Sequence, residues 1–172
     1  MTVQITIIGM GQMGTSIGLA LAQHSDLVFR VGHDKEIAAA NLAKKMGALD
    51  RVDINIPHAV EDAGLVILAV PLDQVQDALK AVAQDLRPDV VVMDMAPVKE
   101  TAMTWAKELL PAHTHYIGMV PVINPSYLQT HEGSTEAAHA DLFQNGLMAI
   151  VSGRGTPSEA IKLAADLSQL LG

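Results

Sequence analysis

Cysteine is absent from this chain of 172 residues, which excludes disulfides and thiolate metal sites. Aromatic residues make up only 3% against 49% hydrophobic overall, so small and branched aliphatic side chains must fill the core. Basic residues are outnumbered, 11 Lys and Arg against 19 Asp and Glu, and they form no cluster. A net charge of −8 argues against nucleic acid or an anionic membrane surface as partners. Long apolar runs are missing too: the longest, residues 65–72, contains Pro71 and falls far short of a bilayer span. Strand patterning begins by Val3, leaving no room for a secretory signal, and a cytoplasmic location is expected. The length suits one domain with a substantial core.

Glycine, by contrast, is placed with purpose. The run Ile5-Thr6-Ile7-Ile8-Gly9-Met10-Gly11-Gln12-Met13-Gly14 reads as a strand that breaks into a glycine turn and opens a helix, and Asp34 follows twenty residues after Gly14. This is the G-x-G-x-x-G dinucleotide fingerprint with its strand, its helix and its acid in place. Gly9 permits the tight turn, Gly11 lets the backbone approach a pyrophosphate, and Gly14 lets the helix lie close to the sheet. The unpaired N–H groups and positive end of that helix form the anion site.

Asp34 is expected to accept hydrogen bonds from the adenosine ribose hydroxyls, which favours NAD. A 2′-phosphate about 4 Å from that carboxylate would be repelled by roughly 4 kcal/mol per charge at an effective dielectric near 20. Lys35 offsets part of this if it turns toward the phosphate, so NADP is disfavoured rather than excluded. The competing role for Asp34 is to cap a helix starting at Lys35.

Strands and helices alternate along the rest of the chain, which predicts an α/β fold: a Rossmann-type, doubly wound, mainly parallel sheet. Expected strands cover residues 3–8, 27–32, 51–54, 65–70, 90–93, 116–118 and 147–151, and the run at 65–70 is unbroken apolar, as a strand covered on both faces should be. Expected helices cover residues 12–23, 35–46, 58–62, 98–110 and 135–143. Two more follow from their patterns, one aligning Val75, Leu79, Val82 and Leu86 and a last one aligning Ile161, Ala164, Leu167 and Leu171. Thr156-Pro157-Ser158-Glu159 reads as a capping box for that last helix, whose apolar face suggests a following segment or a partner. Residues 119–134 lapse into a loop long enough to signal function or mobility.

In sequence the chain resembles the nucleotide-binding domain of the prephenate/arogenate dehydrogenase family, enzymes that make tyrosine precursors. The resemblance rests on Gly9 to Gly14, on Gly32-His33-Asp34 and on Leu65 to Pro71, together with Asp94, Val98-Lys99 and Ala140-Asp141-Leu142-Phe143. It implies an NAD(P)-dependent oxidoreductase that acts on a small molecule and passes a hydride to nicotinamide. It also implies a helical C-terminal domain, absent from this chain, that dimerises the full-length protein. Residues 1–172 would then be the single dinucleotide-binding domain. Val70, Pro71 and Ala96 would line the groove from adenine to nicotinamide, and Met10, Gly11, Gln12 and Met13 would meet the pyrophosphate through backbone N–H groups.

Two positions depart from the family pattern. A histidine precedes proline after the sixth strand in the family, where this chain has Val120 before Pro121; a serine stands two residues before the family lysine, where this chain has Pro97. Valine and proline have no proton to exchange, and losing a positioned base forfeits roughly 10²–10⁴ in rate. No catalytic residue is therefore assigned.

Other candidates are weaker. His113 and His115 lie before the sixth strand, away from the ligand end of an open sheet. His131, with Glu132 beside it to orient or tune it, sits better, but the favoured reading is a solvent-exposed loop histidine. Glu136 and His139, spaced i, i+3 on the expected helix, make a surface pair rather than a metal site, because a third ligand is missing. Lys99 reads either as a ligand for a substrate carboxylate or as a solvated lysine at a helix start. Beside the dehydrogenase reading stand a related reductase with another small substrate and a dinucleotide-binding module without catalysis.

Overall fold

The computed structural model describes residues 2–128 and 133–172. Seven strands form one sheet: β1 (Val3–Ile8), β2 (Val28–His33), β3 (Arg51–Val52), β4 (Leu65–Leu68), β5 (Val91–Asp94), β6 (His115–Val122) and β7 (Leu147–Ser152), in the order β3-β2-β1-β4-β5-β6-β7. All neighbours pair in parallel except β6 with β7. The order runs outward in both directions from β1 and β4, so the topological switch lies between them, where open α/β sheets bind ligands at the carboxyl ends of the strands. The fold is Rossmann-like, as the alternation predicted.

Alternating side chains explain why these strands are buried on both faces. Ile5, Ile7, Leu65, Ile67, Val91 and Met93 point to a core shared with α1 (Gln12–Leu21), α2 (Ile37–Lys45) and α6 (Ser158–Leu171). Ile8, Val66, Leu68, Val90 and Val92 point the other way, to a core closed by α3 (Ile56–Val60), α4 (Leu72–Val82) and α5 (Lys99–Leu109). Val75, Leu79 and Val82 are the fully buried stripe of α4. Of the four residues aligned on α6, Ala164, Leu167 and Leu171 are buried in the first core, while Ile161 is 38% exposed.

Several boundaries differ from expectation. α1 stops at Leu21 and tightens into a 3-10 turn, Ala22–His24. α2 begins at Ile37, because Asp34 Oδ1 accepts the Glu36 N–H at 2.8 Å and holds a turn there instead of capping a helix at Lys35. Asn55 Oδ1 accepts the His58 N–H at 3.2 Å and starts α3 two residues earlier than expected. β6 runs eight residues, past Pro121. Beyond Gly118 its β5 neighbour has ended and only β7 pairs with it, so a residue without an N–H is tolerated. The expected capping box does not form: Thr156 Oγ1 donates to Gly153 O at 2.9 Å, and no side chain caps α6.

The helix expected over residues 135–143 is absent; only a 3-10 turn, Thr135–Ala137, forms. Its polar groups are taken by α1 and its entry turn. His139 N–H donates to Ser16 Oγ at 3.0 Å, Ala137 O accepts from Gln12 Nε2 at 2.9 Å, and Thr135 Oγ1 donates to Met10 O at 2.6 Å. Backbone groups bonded sideways cannot close a helical ladder. Glu136 and His139 consequently share no helix face. No helix among the described residues is long and apolar enough to cross a membrane.

Candidate functional site

A cavity of about 720 Å³ opens at the carboxyl ends of β1, β2, β4 and β5. Ile8, Gly9, Gly11, Gln12 and Met13 form its floor, His33, Asp34 and Lys35 one rim, Ala69, Val70 and Pro71 the wall after β4, and Met95, Ala96 and Pro97 the wall after β5. Gln74, Asp77, Ala78 and Ala81, on the side of α4 next to its buried stripe, line it further together with Ile56. Sequence reading missed this set. Its signal was the second stripe of α4, spaced three and four residues like the first. Of the ten expected cofactor residues, Gly9, Gly11, Gln12, Met13, Asp34, Val70, Pro71 and Ala96 line the cavity. Met10 buries its side chain in the core, and Gly14 packs behind Gly9.

The turn geometry explains the glycines. Gly9 has φ 96°, and a side chain there would lie 2.7 Å from Ala69 O. At Gly14 a Cβ would come within 1.9 Å of Gly9 O, so α1 can enter under the turn only because none is present. Gly9 N–H donates to His33 O at 2.9 Å and Met10 N–H to Asp34 Oδ2 at 2.6 Å, tying the turn to the end of β2. The Met10 amide is thereby committed to Asp34. Among the described residues the N–H groups of Gly11, Met13 and Gly14 have no acceptor. Gly11 and Met13 line the cavity, and their two free donors at the positive end of a ten-residue helix, under a side-chain-free turn, fit a pyrophosphate.

The Gln12 N–H is different. It donates to Gly133 O at 3.1 Å, from a segment more than a hundred residues downstream. That segment, residues 133–139, lies over the fingerprint through the three bonds that prevent a helix there.

Behind the β5 wall sits a buried polar cluster. Asp94, fully buried, accepts the Ala96 N–H at 3.0 Å and Lys99 Nζ at 2.8 Å through Oδ2, and the Tyr116 hydroxyl through Oδ1. Lys99 Nζ also donates to Asp94 O at 3.0 Å, and its side chain is 9% exposed. Lys99 is therefore neither solvated nor free for a substrate carboxylate; it is an internal counter-ion that lies against Gly118. Burial pulls the Lys99 ammonium below its ordinary value, against the opposing bond to Asp94. Burial and the Asp94 charge push the Tyr116 phenol far above its ordinary value.

Elsewhere, His139 stacks on Tyr127 with centroids 4.1 Å apart, and Tyr127 OH donates to Asp141 Oδ1 at 2.7 Å. That bond raises the Tyr127 phenol. His115 lies 3.9 Å from Asp89, and His113 Nε2 lies 3.4 Å from Leu86 O, both at the sheet end opposite the cavity. His131 and Glu132 fall outside the described residues. Val120 is half-buried on β6, and Pro97 is exposed at the cavity wall. Neither carries a titratable group.

Comparison with known proteins follows the same outline. The model of the prephenate dehydrogenase nucleotide-binding domain matches residues 17–172, a stretch that begins after the glycine fingerprint. A cyclohexadienyl dehydrogenase of Zymomonas mobilis is 30% identical over 170 residues, covering 98% of this chain and 55% of that protein. A prephenate dehydrogenase of Bacillus subtilis is 25% identical over 164 residues, covering 95% of this chain and 43% of that protein. The chain thus spans about half the length of the curated relatives it matches. In fold it is similar to the prephenate dehydrogenase of Aquifex aeolicus solved with hydroxyphenyl propionate and NAD⁺, with a TM-score of 0.86 at 20% identity over 100% of this chain and 58% of that one.

Proposed function

This chain belongs to the family of prephenate dehydrogenase nucleotide-binding domains, and from that membership we propose that residues 1–172 are the dinucleotide-binding domain of an NAD-dependent dehydrogenase. One observation carries the proposal: free amides at the start of α1 face a cavity at the topological switch, with Asp34 fixed at its rim. The glycine turn, residues 9–14, lies outside the family match, which begins at residue 17, so the turn supports the reading separately from that match. Gly11 and Met13 would hold the pyrophosphate, with Gly14 letting α1 close up behind the turn, and Asp34 would hold the adenosine ribose. Val70, Pro71 and Ala96 would flank the path to the nicotinamide. Bound nicotinamide would supply the hydride-accepting ring. Asp34 makes NAD the favoured cofactor over NADP.

The substrate is proposed to be a small molecule of the prephenate or arogenate type, in the tyrosine pathway. The resemblance supports a cytoplasmic, homodimeric complete protein in which a helical domain follows this one. Size-exclusion chromatography of the complete protein tests the dimer. Val120 and Pro97 favour a second reading, a related dehydrogenase or reductase with another small substrate, because neither can take a hydroxyl proton. Turnover of prephenate and arogenate by the complete protein separates the two.

Titration of this chain with NAD⁺, NADH, NADP⁺ and NADPH by calorimetry tests the cofactor reading. Tight NAD(H) binding supports it, and binding of no dinucleotide removes it.

A further inference from the structure

Gly11 has no side chain, and a Cβ there would stand 2.9 Å from Gly133 O. The room that the fingerprint clears for a phosphate oxygen is thus met by a backbone carbonyl oxygen. That same oxygen accepts the Gln12 N–H, a donor in the first turn of α1. An amide proton serves one strong acceptor at a time, and two electron-rich oxygens cannot share one position. We propose that residues 133–139 are a strap in which Gly133 O stands in for a phosphate oxygen, so that a dinucleotide must displace it to reach the pyrophosphate site.

The anchors make the contact a built feature. Thr135 Oγ1 donates to Met10 O, Gln12 Nε2 to Ala137 O, and His139 N–H to Ser16 Oγ, which fixes the strap at three points along the turn and first helix. Thr135 and Ser16 are both buried. Affinity for any ligand with a phosphate at this place is reduced by the free energy of the strap contacts it breaks, while a ligand lacking phosphate is not affected. The strap also links the cofactor site to the connection between β6 and β7, so cofactor binding is coupled to the conformation of that connection.

This inference rests on the dinucleotide reading above, and the test separates the two. Thr135→Val removes one anchor at little structural cost, because Thr15 Oγ1 still donates to Met10 O at 3.0 Å. Ser16→Ala removes another and replaces it if the first variant does not fold. Each is titrated with NAD⁺ and with adenosine, which has no phosphate. The strap predicts NAD⁺ binding about three- to tenfold tighter in the variants, the worth of one ordinary hydrogen bond, with adenosine unchanged. NAD⁺ binding that is weakened or unaltered, or adenosine binding tightened equally, overturns the strap and leaves the cofactor reading intact. Wild-type and variants that all fail to bind either ligand overturn the cofactor reading and the strap with it.

Discussion

Met10 N–H and Asp34 Oδ2 meet at 2.6 Å, so the acid at the end of β2 is held by the same turn whose other amides face the cavity. Its second oxygen is held by Glu36 N–H, which leaves the carboxylate fixed in place with lone pairs still available toward the cavity.

Asp34→Asn should therefore weaken NAD⁺ by about ten- to a hundredfold, the range for a hydrogen bond to a charged group. An asparagine presents one acceptor to two N–H donors, and its amide nitrogen opposes one of them. NADP⁺ should lose less, because the repulsion against its 2′-phosphate falls away with the charge. Calorimetric affinities for both cofactors check this. An unchanged ratio between them would remove Asp34 from the ribose contact.

The ion pair of Lys99 with Asp94 is buried on both sides, so removing one partner leaves the other charge without compensation. Lys99→Met should cost about 3 kcal/mol in urea unfolding, as one-sided cuts of buried pairs do. The double change Asp94→Asn with Lys99→Met should cost less than the sum of its single changes, since it leaves no bare charge. Additive effects would mean that the pair is not coupled.

How much of this was legible in the sequence follows from the range of the interactions. The central strands were readable because both faces are buried, which forces unbroken apolar runs such as residues 65–68. The fingerprint was readable because its turn, helix and acid are set by local geometry. The strap was not: Thr135, Ala137 and His139 form their bonds with residues more than a hundred positions away, and their local pattern reads as helix. Lys99 was misread for the same reason. Its burial depends on Gly118, whose missing side chain makes room for it from a neighbouring strand.

Arg30 and Asp50 form an ion pair at 2.8 Å that acid should weaken. Burial pushes the Asp50 carboxyl up, but hydrogen bonds from Arg30 and its charge outweigh this and hold the group below its ordinary value of 3.8. With the folded value lower, the pair contributes stability above the unfolded value, and that contribution is lost as the pH falls through the folded one. Urea midpoints measured from pH 6 downward should fall less steeply for Asp50→Asn than for wild type below about pH 4. Parallel curves would place the acid sensitivity elsewhere.

Two glycines should respond very differently to the same methyl group. Gly47 ends α2 with φ 90°, and a methyl group added there would meet no atom within 4 Å, so Gly47→Ala should cost only backbone strain, about 1 kcal/mol. Gly14 has an ordinary helical φ, yet its Cβ would lie 1.9 Å from Gly9 O and 3.2 Å from the Ala69 methyl. Backbone cannot yield as a side chain can, so Gly14→Ala must move α1 away from β1 and β4. That shift withdraws the Met13 amide from the cavity floor and should abolish dinucleotide binding even where the chain still folds. Thermal melts of both variants, read beside NAD⁺ titration, check the contrast. A Gly14→Ala protein that binds NAD⁺ like wild type would mean that the close approach of α1 to the turn does not form the site.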